Sequence, residues 1–205
     1  MSTRLIIIFG ILAAIIVIGG IVIARPVMEL PQLDPEATLS PHPAAGSLIT
    51  QPAATTTLHS RDIKNVPSPF AFSASIPRTW QAEAIADIAA ISLYDPAAPG
   101  ASNLEKSQIF LRSFTASDFL TLSTVTILSR VSLEIQGRPA VRYVIEKKPT
   151  VANFPAQPSW RSGRHEVTDI RTTDANPAVF YVIAKRPDLP DAVFQHFLDT
   201  LQYDY

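Results

Sequence analysis

Apolar and polar residues alternate with a period of two over much of the chain beyond residue 70. In "FAFSASI" the residues Phe70, Phe72, Ala74 and Ile76 share one face, and Ala71, Ser73 and Ser75 the other. That is the pattern of a half-buried strand, and Pro77 ends it. Trp80 to Ile85, Ile88 to Tyr94 and Gln108 to Phe114 are further strand candidates, the second closed by the turn chemistry of "DPAAPG". In "VSLEIQGRPAVRYVIE" the row Val131, Leu133, Ile135 is followed by Gly137 and then by Val141, Tyr143, Ile145, which predicts a hairpin. Glu166 to Thr172 is a more polar strand. Ala178 to Ala184 is apolar on both faces and suits a central strand covered on both sides.

Two helices are expected. Thr115 and Asp118 stand in a T-x-x-D arrangement close to a capping box, which predicts a short helix start. Near the C-terminus Asp188 is the predicted cap, Pro190 fits the first turn, and Val193, Phe194, Phe197, Leu198 and Leu201 form one apolar stripe. Hairpin connections imply antiparallel pairing, and the helices must cover the sheet. The predicted class is α+β, an antiparallel sheet flanked by helices, over residues 70–205.

The pattern changes upstream. Leu5 to Ala24 is a 20-residue run without charge, bracketed by Arg4 and Arg25. As a helix it would be roughly 30 Å long, the thickness of a bilayer's hydrocarbon core. Residues 1–25 are therefore read as a single N-terminal transmembrane anchor, with the lipid bilayer as partner through residues 5–24. The alternative is a cleaved signal peptide, but the run exceeds the usual signal core. The short, weakly basic leader favours a cytoplasmic N-terminus with the C-terminal domain outside the cytoplasm.

Residues 26–69 carry eight prolines, with "EATLSPHPAAGS" and "QPAATTT" between them, and no aromatic residue. Such a segment buries too little apolar area to offset ordering entropy and reads as a disordered linker. His42 and His59 lie in it, and solvated histidines are the expectation there.

Composition adds exclusions. The formal net charge is −1, so no nucleic-acid partner is expected. Cysteine is absent, which removes disulfides, thiolate metal sites and cysteine nucleophiles. The chain has seven glycines and no P-loop, dinucleotide fingerprint or nucleophile elbow, so nucleotide and serine-hydrolase chemistry lack their motifs.

Three segments resemble the PsbP-like superfamily. "FAFSASIPRTW" is similar to its opening strand, "VSLEIQGRPAVRYVIE" to its central hairpin, and "VFQHFLDTLQYD" to its closing helix. The resemblance implies a PsbP-like sandwich, usually outside the cytoplasm, acting as a non-enzymatic accessory or binding module. Each segment is mainly a packing motif, with Phe72, Trp80, Tyr143 and Phe197 as core. No catalytic, cofactor or metal residue carries over.

The search for chemistry leaves one feature. His165 and Asp169 in "HEVTD" share a strand face but would sit roughly 13 Å apart, too far for one ion. His196 flanks the apolar stripe of the last helix and reads as structural. Between Lys147 and Arg164, however, stand four cations (Lys147, Lys148, Arg161 and Arg164) with no acid, and "NFPAQPSWRSGRH" holds Trp160 among them. As a binding loop, Trp160 would be an aromatic anchor, with the cations holding carboxylate or phosphate groups of an envelope protein or an anionic surface ligand. As a structural loop, Trp160 and Phe154 would pin it to the sheet and leave the cations solvated. The functional expectation is a membrane-tethered extracytoplasmic binding or assembly module with no evident catalytic chemistry and no cofactor. A structural subunit recruited through its transmembrane helix, and an envelope hydrolase, are the alternatives.

Overall fold

The computed structural model describes residues 54–119 and 123–204. The predicted anchor over Leu5–Ala24 lies outside the described residues, as do the first 28 residues of the predicted linker. Among the described residues, no helix is long and apolar enough to cross a membrane.

Ten strands and one α-helix make up the described regular structure, besides short 3-10 turns. A three-stranded sheet has the order β1 (Thr55–His59), β2 (Phe72–Pro77), β10 (Gln202–Tyr203). The larger sheet is built from β3 (Gln81–Ile85), β4 (Ala90–Tyr94), β5 (Ser107–Ala116), β6 (Val125–Ile135), β7 (Arg138–Lys147), β8 (His165–Arg171) and β9 (Ala178–Lys185). Its order is β3-β4-β5-β9-β8-β7-β6, and every pairing in both sheets is antiparallel.

This corrects the α+β expectation. The described protein is mostly β, two antiparallel sheets with a single helix, α1 (Asp191–Asp199). Among the described residues the helix expected from Thr115 is absent, because β5 runs on through that point. Thr115 pairs with Val179 and Ala116 with Ala178, so ladder bonds already use this backbone. Ser117–Phe119 then form bends, and Asp118 accepts a hydrogen bond from the Phe119 N–H instead of capping a helix. At the other helix, Pro190 occupies the N-cap position and Asp188 is ion-paired with Arg186 at 2.8 Å.

Folded structure also begins before Phe70. β1 lies inside the segment read as linker and pairs with β2 from Thr55↔Pro77 to His59↔Ser73. The connection is pinned by Ser60, whose hydroxyl donates to the Phe70 carbonyl and accepts from the Phe72 N–H. The strand was hidden there in "TTTLH", where threonine supplies β-propensity without hydrophobicity.

The larger sheet is apolar on both faces. On one, Ile91, Leu93, Ile109, Leu111, Tyr181 and Ile183 pack with the small sheet's Phe72, Ala74 and Ile76 and with Phe194, Phe197 and Leu198 of α1. Burying each of these isoleucine, leucine and phenylalanine side chains contributes about 1.5–3 kcal/mol. The Tyr181 hydroxyl sits in this layer, donating to the Pro69 carbonyl at 2.7 Å and accepting from the Ala71 N–H at 2.8 Å. On the opposite face, Phe110, Tyr143, Ile145, Val167, Val182 and Ala184 form a second core cluster. No sheet or α-helix covers it among the described residues. Loops do, and the 153–165 connection is one of them.

Candidate functional site

The Trp160 loop runs from the end of β7 to the start of β8 and includes a 3-10 turn at Ser159–Ser162. Trp160 is half-buried against the second core cluster. Its indole Nε1–H donates to the Ser107 carbonyl at 3.1 Å, and its ring meets His165 edge to face with centroids 5.7 Å apart. The loop is held from a second side by Glu105, whose carboxylate accepts from the Ser159 N–H and hydroxyl. Trp160 is therefore a pin, the structural alternative of the two sequence readings.

The four cations separate. Arg164 is exposed. Lys147 donates to the Lys148 and Val151 carbonyls, and Lys148 to the Ser123 carbonyl at 2.7 Å, so both brace the backbone around the end of β7. Arg161 alone turns inward. Its guanidinium carbon lies 5.4 Å from the Phe110 ring centroid, and Nη1 donates to the Gln157 side-chain oxygen. Its Nε is buried without a hydrogen-bond partner.

Arg161 has a companion that the sequence reading passed over. Arg112 sits mid-strand in β5, between Phe110 and Phe114 on one face. Its guanidinium carbon is 4.5 Å from the Phe114 ring centroid, and its Nε–H donates to the Ile88 carbonyl at 3.2 Å. The legible signal was the row Phe110-x-Arg112-x-Phe114, a cation flanked by aromatics on a strand face.

Arg112 and Arg161 line one open cleft of about 140 Å³ with Phe114, Val125, Ile145, Phe154, Val167 and Val182. Thr124 and Gln157 complete the lining among the described residues, and none of these is acidic. Neither arginine has an ion-pair partner among the described residues. A second cavity of about 150 Å³ adjoins through Phe154, Gln157 and Arg161. Its one acid is Glu105, already occupied by Ser159.

The cost of this arrangement shows in the protonation equilibria. Burial, and then the neighbouring Arg112 charge, brings Arg161 down to about 10. Burial also lowers Arg112. Both remain cations at neutral pH. His165 is brought down to about 4, first by burial and also by the Arg161 charge, against the opposing hydrogen bond to the Gly163 carbonyl. Since that carbonyl only accepts, at 2.8 Å from Nδ1, the neutral ring carries its proton there. A like-charged pair, desolvated and unneutralised, is costly for folding and suited to an incoming anion.

The other sequence candidates stay apart. No group of three or more His or acidic side chains with metal-ligating proximity occurs among the described residues. His196 meets the Ser75 hydroxyl at 3.1 Å, a contact between α1 and β2.

No protein-family model matches the chain, and no curated protein matches it. Among solved structures, a crystal structure at 1.50 Å of a protein from Bacteroides thetaiotaomicron VPI-5482 is similar at 9% identity and a TM-score of 0.26. The match covers 65% of this chain and 45% of that one. A likeness of that size carries no argument about fold or function.

Proposed function

We propose that the chain is a membrane-tethered, extracytoplasmic binding module without catalytic chemistry, and that it captures a small anion in the cleft between β5 and the Trp160 loop. The observation that carries this reading is the pairing of Arg112 and Arg161 in one acid-free, largely apolar cleft. A partly desolvated cation without a counter-charge works against stability, and a ligand that supplies the charge recovers that loss. The tether rests on the uncharged Leu5–Ala24 run, and the non-enzymatic character on the lack of a catalytic motif in the sequence. Compared with the loop hypothesis from sequence, Arg161 keeps its place, Arg112 joins it, and Arg164, Lys147 and Lys148 drop out.

The test is recovery of the ligand. Full-length protein is purified from its native membrane, and small anions released on denaturation are identified by mass spectrometry. Wild type is expected to carry an anion that the Arg112→Gln/Arg161→Gln variant lacks. Equal recovery from both proteins would remove the cleft from the account.

A further inference from the structure

We propose that the cleft selects an organic carboxylate borne on an apolar body about the size of a benzene ring. This rests on the anion-binding reading above and adds the chemical class of the ligand.

Three observations carry it. First, six of the ten lining residues (Phe114, Val125, Ile145, Phe154, Val167 and Val182) are apolar, so most of a bound molecule would face hydrocarbon. Second, the polar groups are few and of one kind. Two guanidinium groups present planar donor forks, which match the two oxygens of a carboxylate. A phosphate or sulfate has three or four oxygens to satisfy. The lining adds only Thr124 and Gln157 as further polar side chains, and Gln157 already accepts from Arg161. Among the described residues, no glycine lines the cleft to bring backbone N–H groups close, as phosphate cradles do. A phosphate here would set part of its oxygens against valine and phenylalanine, and acceptors desolvated without partners are costly. Third, there is room for a ring. The cleft is about 140 Å³, and an apolar cavity of roughly 150 Å³ accommodates benzene.

The two cations also explain one another in this light. Arg112 is held at its Nε by the Ile88 carbonyl and Arg161 at its Nη1 by Gln157, so each is tethered on one edge. Arg161 Nε is buried without a partner, so part of this guanidinium's donor capacity is unmet in the unliganded protein. The aromatic faces of Phe110 and Phe114 stabilise the guanidinium groups while the site is empty of counter-charge.

The test is calorimetric titration of the full-length chain with four probes: benzoate, benzamide, acetate and inorganic phosphate. Benzoate is expected to bind, with benzamide and acetate each weaker by at least about tenfold, since one lacks the charge and the other the apolar body. Arg161→Met is expected to weaken benzoate by at least about tenfold while melting at or above the wild-type temperature, because a half-buried charge without an ion-pair partner is replaced by a side chain of similar length. Arg161→Lys, which keeps charge but loses the fork, is expected to fall between them, and it serves if the methionine variant does not fold. Binding of phosphate without benzoate would overturn the carboxylate inference and leave the anion-binding reading standing. Equal binding of benzoate and benzamide, or of benzoate to wild type and both Arg161 variants, would overturn both. So would the absence of binding by benzoate and phosphate alike.

Discussion

At the scale of single residues, burial sorts look-alike side chains. Arg161 and Arg164 are three positions apart in a basic, proline-containing loop, and nothing in their neighbourhood ranks one above the other. The 3-10 turn at Ser159–Ser162 leaves Arg164 exposed while Arg161 reaches the Phe110 ring. Trp160 posed the same question of direction, and the Ser107 carbonyl answers it by accepting the indole N–H. Arg112 was more legible than either, given the Phe-x-Arg-x-Phe row, although the row alone does not say that a distant loop brings a second arginine to it. His165 supplies a prediction at this scale. Its imidazole is 4% exposed and titrates at about 4 when folded, against 6.5 for an unperturbed ring. The unfolded state therefore binds a proton first as pH falls. The stability from the neutral buried ring is complete above about pH 6.5 and is lost progressively between there and about pH 4. The full span is worth roughly 3 kcal/mol. Urea denaturation of wild type and His165→Gln across this window is expected to show a shallower pH slope in the variant. Parallel slopes would mean that carboxylates account for the whole acid sensitivity.

Elements were readable wherever period-two alternation coincided with hydrophobicity. β2, β7 and β9 lie close to their sequence limits, and the hairpin turn fell where Gly137 placed it. Gln136 and Gly137 have φ of 50° and 74°, so both central residues of the two-residue turn are left-handed, as a type I′ hairpin requires. A Cβ at Gly137 would meet no atom within 4 Å, so the penalty of Gly137→Ala is purely conformational. It is expected to cost about 1 kcal/mol in chemical denaturation with no change in the cleft. A loss several times larger would show that the turn makes contacts beyond its own backbone. The first half of β6 was not readable, because a bulge between Ile127 and Ser129 shifts its register midway. It is the edge of the larger sheet, with Ile127, Leu128 and Val131 exposed, so burial does not impose a strict alternation on it. The expected helix at Thr115 failed for the opposite reason. A local capping signal was outweighed by the ladder between β5 and β9.

For the whole molecule, sheet order was the part that sequence patterns do not carry. β9 sits between β5 and β8, and its two apolar faces announced a central strand without naming its neighbours. The number of layers was equally hidden. One face of the larger sheet is covered by the small sheet and α1, and the other chiefly by loops. That difference places the cleft, since a face closed by a loop leaves space that a packed helix would fill. The central claim is that Arg112 and Arg161 are a receptor for an anion rather than two cations tolerated by the core. Arginine-selective nitrogen NMR on the full-length chain in nanodiscs addresses it most directly, by following each Nε–H during a benzoate titration. Saturable shifts are expected at Arg112 and Arg161, with Arg164 unmoved. Stationary Arg112 and Arg161 signals, or shifts spread evenly over Arg164 and the surface arginines, would contradict it.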